Sequence, residues 1–201
     1  MKLETTNSDI KLIEKDAKKG LWYIRWNIKK IIDDNGNDTY TYEEEAFSYP
    51  VTIVDVKNVI TEWYNKQTNM SILHGFNWKD RQVYLSDENK FNYKAIIDEA
   101  ARIETSIAIW DKEHPELAGK NHVIENDIEV PTGRPYTLLP ITLKLGRDNS
   151  SNSFYVFETI GELQEFFSAG VQYLIGAYGQ GWYKIATFDY APYIEILNSL
   201  K

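Results

Sequence analysis

Apolar and polar side chains alternate from Leu21 to Ile32. Trp22, Ile24, Trp26, Ile28 and Ile32 share one face, and Arg25, Asn27 and Lys29 share the other. A period of two is that of a strand with one buried side. Asp34-Asn35-Gly36-Asn37 follows, and Asn-Gly readily takes the positive φ angles of a tight hairpin turn. Residues 39–47 return, with Tyr40 and Tyr42 alternating against Thr39 and Thr41. This predicts a β-hairpin whose apolar face must be covered.

After Pro50 the period changes. Val56, Ile60, Trp63 and Tyr64 lie three and four apart, which predicts a helix to about Asn69, with Thr52 as its cap and Asp55 in the capping-box position. Residues 82–85 form a small hairpin with the stretch before them, its turn at Lys79-Asp80. Ser86-Asp87 caps a second helix carrying Tyr93, Ile96, Ile97, Ala100, Ile103, Ile107 and Trp110 on one stripe and stopping before Pro115. Residues 111–135, with three prolines, two glycines and many charges, read as a long loop, either functional or partly ordered by a partner. Residues 137–145 alternate as a strand, with Pro140 near its start or on an edge, and 154–157 return after a turn at 147–152. Thr159 and Glu162 form a capping box for a third helix with the stripe Ile160, Leu163, Phe167, Val171, Leu174 and Tyr178. Gly170, Gly176, Gly179 and Gly181 make that segment a poor helix former, so packing must support it, and Gly170 on the apolar side admits a close neighbour. Residues 193–200 read as a last short helix.

The fold class expected is α+β, in which β-hairpins are each followed by an amphipathic helix and small antiparallel sheets pack against helices. Residues 1–70 form a hairpin-plus-helix module, read as an attachment domain, and 71–201 a second α+β domain. Hydrophobic residues make up 43% of the 201, enough to offset ordering entropy with a real core. A formal charge of -8 repels phosphate backbones and anionic lipid, so neither nucleic acid nor membrane is an expected partner. No run approaches the roughly 18 apolar residues of a membrane span, and Met1-Lys2-Leu3-Glu4-Thr5 has no apolar signal-peptide segment. Without cysteine there are no disulfides, thiol nucleophiles or cysteine-held metals.

Candidate chemistry is sparse. Asp111, Glu113, His114, Glu116 and His122 cluster in the long loop, but no spacing sets them on one face as metal ligands, and a solvated charged loop accounts for them as well. Residues 33–38 with Glu44 resemble a calcium loop, yet the glycine is misplaced and the flanks are strands. The glycines of 176–181 end a helix and match no nucleotide-binding fingerprint. Paired carboxylates such as Asp98-Glu99 are ordinary on surfaces, although glycosidase carboxylates need no sequence signature. The expectation is no enzyme, no cofactor and no metal.

The second half carries a distributed pattern: Phe76-Asn77-Trp78-Lys79, Gln82-Val83-Tyr84-Leu85-Ser86 and Asn92-Tyr93-Lys94. It continues with Leu138-Leu139-Pro140-Ile141-Thr142-Leu143-Lys144-Leu145-Gly146, Tyr155-Val156-Phe157, Thr159-Ile160-Gly161-Glu162-Leu163 and Gly181-Trp182-Tyr183-Lys184. Over roughly residues 75–186 the chain resembles a domain of unknown function found in tail-fibre and tail-assembly proteins of phages and prophages, of the kind that infect Bacteroides-type bacteria. The resemblance implies a non-enzymatic virion structural protein, made in the bacterial host cytoplasm and located in the tail. Its partners would be other tail proteins and further copies of itself in a ring or fibre. With 6 tryptophans and 14 tyrosines available for burial against partners, Trp22, Trp26, Trp78 and Trp182 are the contact candidates, each weighed against a core role. The rivals are a tail-fibre assembly chaperone absent from the virion and a carbohydrate-binding module with two or more tryptophans in one exposed groove.

Overall fold

The computed structural model describes residues 2–5, 10–32 and 36–200. The chain is an α+β protein that divides into two compact units, Met1–Thr68 with Gly179–Lys201, and Asn69–Tyr178.

In the first unit the alternating run is strand β3 (Leu21–Ile32), paired with β4 (Asp38–Phe47). Two strands too short to show a pattern in the sequence extend the hairpin, β1 (Lys2–Thr5) and β2 (Ile13–Asp16), giving an antiparallel sheet in the order β1-β4-β3-β2. Asp33 to Asn35, the first part of the expected turn and calcium-like loop, lie outside the described residues, while Gly36 has the positive φ of +82°. The apolar face of β3 does not run its full length. Opposite Tyr42 one extra residue enters β3 between Trp26 and Lys29, and Asn27 takes φ +54°, a conformation asparagine tolerates better than most residues. The bulge breaks the alternation. Ile24 and Trp26 are buried, whereas Ile28 and Ile32, expected on the same face, are exposed.

The covered face meets helix α1 (Ile53–His74) and helix α4 (Ala191–Ser199). Ile13, Ile24 and Trp26 of the sheet, Val51, Val56 and Ile60 at the front of α1, and Tyr193 of α4 make one core. The capping box of α1 forms: Asp55 accepts from the Thr52 amide at 2.8 Å and hydroxyl at 2.7 Å, and the Asp55 amide donates to Thr52 Oγ1 at 3.4 Å. The Tyr193 hydroxyl donates to the Arg25 carbonyl at 2.8 Å, tying α4 to β3.

The second unit begins at the end of α1. Gly75 has φ +73°, and a β-carbon there would stand 1.8 Å from the Val83 carbonyl oxygen, so only glycine fits between α1 and the hairpin β5 (Phe76–Trp78) and β6 (Arg81–Val83). The turn between them has positive φ at both Lys79 and Asp80, the type I′ geometry. Ser86 caps α2 (Asp87–Glu113) by accepting the Asn89 amide at 3.1 Å. Residues 111–135 are not an irregular loop. α2 extends to Glu113, and a second hairpin follows, β7 (His122–Glu125) and β8 (Ile128–Pro131), turning through Asn126 and Asp127 at φ +52° and +63°. Its strands are four residues each and its turn lacks glycine, so the sequence signal was weak.

The predicted strand 137–145 is shorter, β9 (Ile141–Lys144), because Pro140 has no amide to donate; it pairs with β10 (Phe154–Phe157). α3 (Ile160–Ala186) runs through all four glycines. Its buried side follows the expected stripe at Ile160, Leu163, Phe167 and Leu174 and departs from it elsewhere: Phe166 is buried and Gly170 lies beside the Phe76 ring, while Val171 and Tyr178 are exposed. The periodicity followed side-chain hydrophobicity, whereas the contact face also uses residues with no side chain. Val83, Leu85, Ile97, Leu145, Phe157, Leu163 and Phe166 form the core of this unit. The Tyr93 hydroxyl donates to the Lys144 carbonyl at 2.8 Å, and burial pushes its pKa up to about 12.

The first unit boundary falls at Thr68/Asn69, close to the sequence division at 70/71. The second boundary differs: residues 179–201, assigned to the 71–201 domain, belong to the first unit. Apolar residues in and before α4 make this so, since Phe188, Tyr190 and Leu197 pack on the first core.

Candidate functional site

Asp111, His114 and His122 of the 111–122 cluster are engaged by other residues. Arg134 holds Asp111 through two hydrogen bonds of 2.7 and 2.9 Å and also donates to Asn121. That bond to Arg134 holds the Asp111 carboxyl below its ordinary pKa. His114 stacks on Trp110 and contacts the Trp110 carbonyl at 3.0 Å, while His122 faces the Tyr136 hydroxyl at 3.1 Å. Among the described residues no group of three His, Asp or Glu could hold a metal ion. Glu44, the far end of the calcium-like pattern, is bound to Arg25 at 2.6 Å.

On the sheet face away from the core, Arg25 lies between the rings of Tyr23 and Tyr42, at 5.5 and 5.6 Å, and bridges Glu14 and Glu44, each at 2.6 Å. Burial works against the guanidinium charge, but the two carboxylates outweigh it and its pKa is raised. The arrangement is a closed ion triad stacked on tyrosines, suited to stiffening the face.

Among the described residues of the first unit, two grooves stand out. One, of about 440 Å³, has Trp26, Phe47 and Trp63 on its apolar side and Glu43, Glu45, Asp55 and Glu62 around them. The other, of about 520 Å³, is lined by Trp22, Val51, Ile53, Ile194, Leu197 and Leu200. The second unit has an apolar cavity of about 150 Å³ between α2 and α3.

The four tryptophan candidates part company. Trp26 is 5% exposed and belongs to the core, a correction to its reading as a contact. Trp78 is half-buried, edge-on to Phe166 at 5.6 Å, and packs on the second core. Trp22 is half-buried and lines the larger groove, with Lys15 over its ring. Trp182 stands 66% exposed. The indole Nε1 atoms of Trp26, Trp63 and Trp78 are buried without a hydrogen-bond partner among the described residues. The paired tryptophans of the 440 Å³ groove, Trp26 and Trp63, are therefore packed rather than displayed, unlike the open aromatic platform that a carbohydrate module predicts.

Sequence reasoning passed over most of the exposed apolar set. In the second unit it includes Phe91, Ile109, Ile124, Ile128 and Ile175, and in the first Ile32, Val54 and Tyr183 beside Trp182. Phe91, Ile109 and Ile175 all sit off the apolar stripes of their helices, and that phase error was the available signal. A second signal was charge: no Asp, Glu, Lys or Arg occurs from Phe166 to Tyr183. No helix is long and apolar enough to cross a membrane among the described residues. Compared with known proteins, the chain matches no family model, no curated protein and no solved structure.

Proposed function

We propose that the chain is a non-enzymatic structural component of a phage tail or its fibres, acting through protein–protein contacts in assembly. The carrying observation is the exposed apolar set, present in each unit: Trp182 and Tyr183 in the first, and Phe91, Ile124, Ile128 and Ile175 in the second. Large apolar side chains left in solvent mark surfaces that become buried in partners, and tryptophan and tyrosine dominate the energetics of such surfaces. Ile124 and Ile128 flank the type I′ turn of a two-stranded hairpin and stand exposed on its opposite faces. The residue pattern of 75–186 supplies the tail as the setting, and tail symmetry makes several copies the expected state.

The test is mass spectrometry of density-purified phage particles against the crude lysate from which they came. Co-purification at a fixed stoichiometry is the expected result, and the copy number gives the symmetry. A chain abundant in the lysate and absent from particles overturns the structural reading in favour of an assembly chaperone.

A further inference from the structure

The cavity of the second unit is lined by apolar residues apart from two. Phe76, Tyr93, Phe166, Leu174 and Gly170 form the walls, and Lys90 and Lys94 are the charged groups among the lining residues. The lysines stand one helical turn apart on α2. In a chain of net charge -8, these two cations are the groups beside the apolar opening that an anion can engage. Each ammonium has a carboxylate from its own helix, Asp87 for Lys90 and Asp98 for Lys94. Asp87 is fully exposed and Asp98 mostly so, and exposed pairs of this kind contribute little, so either lysine can exchange its partner.

The volume sets the size of the guest. About 150 Å³ is what an apolar cavity needs to hold one benzene-sized group, so one ring fits and two do not. The walls are already placed. Phe76 stacks on Phe166 at 6.1 Å and on Tyr173 at 5.7 Å, and Tyr93 is anchored through its hydroxyl to the Lys144 carbonyl. A preformed pocket loses little ordering entropy when filled. Gly170 keeps the space open, since a β-carbon there would already touch the Phe76 ring at 3.5 Å.

We propose that this cavity receives one aromatic side chain of a partner protein, and that an Asp or Glu next to it in the partner engages Lys90 and Lys94. The inference rests on the protein-contact reading above and names the chemistry of one contact. A pocket for a single ring with a polar rim is the form of an interface anchor site.

The test titrates the isotope-labelled full chain, followed by NMR, with acetyl-Gly-Phe-Asp-Gly-amide, acetyl-Gly-Phe-Lys-Gly-amide and 3-phenylpropionate. The acidic peptide is expected to shift the Gly170 and Lys94 amides saturably, with Kd about 1 mM, the scale for so small a ligand. The basic peptide is expected to bind about tenfold more weakly, and the double variant Lys90→Glu/Lys94→Glu to invert that preference. Both lysines are on the helix surface, so the reversal leaves the core intact, and Gly170→Leu provides a second variant expected to abolish binding of both peptides. Equal binding of the two peptides, shifts that map elsewhere, or no binding overturns the proposal. Binding of 3-phenylpropionate without the acidic peptide also overturns it and makes the cavity a small-molecule site. Absence from purified particles, with peptide binding intact, sinks the tail reading and leaves this contact standing; the reverse result sinks the contact alone.

Discussion

Both units fasten a helix to a strand with one buried tyrosine, but they close over very different lengths of chain. In the second unit Tyr93 of α2 reaches the Lys144 carbonyl, 51 residues on. In the first, Tyr193 of α4 reaches the Arg25 carbonyl, 168 residues back. The second unit is one continuous stretch whose core can form as the chain is made. The first is discontinuous: its sheet and the front of α1 are in place early, and its core is complete only when the last helix returns. Closing a long loop costs little more entropy than closing a short one, so the discontinuity bears on order of folding more than on final stability. What it does create is dependence on the last twenty residues.

The largest expected effect tests that dependence. A chain ending at Ala186 lacks Phe188, Tyr190, Tyr193, Ile196 and Leu197, all packed in the first core. Tyr193 is buried and the other four are partly buried; with full burial contributing about 1.5–3 kcal/mol per side chain, their joint loss is comparable to the stability of an ordinary domain. Hydrogen exchange should then show the amides of β3 and β4 unprotected while those of β9 and β10 keep their protection. Equal loss in both sets would mean that the units are one cooperative block, and the comparison would fail.

How far the sequence already contained this contrast depends on distance along the chain. The β3–β4 hairpin, the capping box of α1, the Thr159 cap of α3, the Ser86 cap and the Lys79-Asp80 turn were legible because each is settled by residues within a few positions. The bulge at Asn27 was not, since it depends on register against β4. Nor was the return of α4 to the first unit, because nothing in residues 193–200 indicates which core they fill. The contact candidates show the same limit. Trp22 and Trp26 have the same type and the same strand face, yet Trp26 is buried in the core and Trp22 is half-buried at its edge. Exposure at Phe91 and Ile175 was legible in principle from their phase on the helix, while the cavity beside Gly170 depends on α2, α3 and β5 meeting in space.

A gentler probe removes each tyrosine clasp alone. Tyr193→Phe and Tyr93→Phe keep the ring and delete the hydroxyl, each costing about 1 kcal/mol, the net value of one hydrogen bond. If the units are independent, Tyr193→Phe raises exchange in β3 and leaves β9 unchanged, and Tyr93→Phe does the opposite. A change that spreads to both sets of amides would locate coupling that the contact division does not contain.

The smallest effect separates the two capping carboxylates by pH. Asp55 starts α1 in the first unit, and bonds from the Thr52 hydroxyl, with the Thr52 amide and Tyr49 adding to them, hold its carboxyl below the usual range. Glu162 starts α3 in the second, held down chiefly by Lys79 and Tyr155. In both, the folded pKa lies below the unfolded one. The stabilisation is therefore fully present above the unfolded carboxylate value, about 4, and is lost as pH falls through the lower folded value. Glu162→Gln should flatten the acid limb of stability for β9 and β10 without touching β3 and β4, and Asp55→Asn should do the reverse. Glu162 serves more than its cap, because it also joins the β5–β6 turn at Lys79 and strand β10 at Tyr155 to the start of α3. Its substitution should accordingly raise exchange in the β5–β6 hairpin as well, an effect that Asp55→Asn should not have. An acid limb unchanged by Glu162→Gln would show that this three-way junction is held by packing rather than by charge.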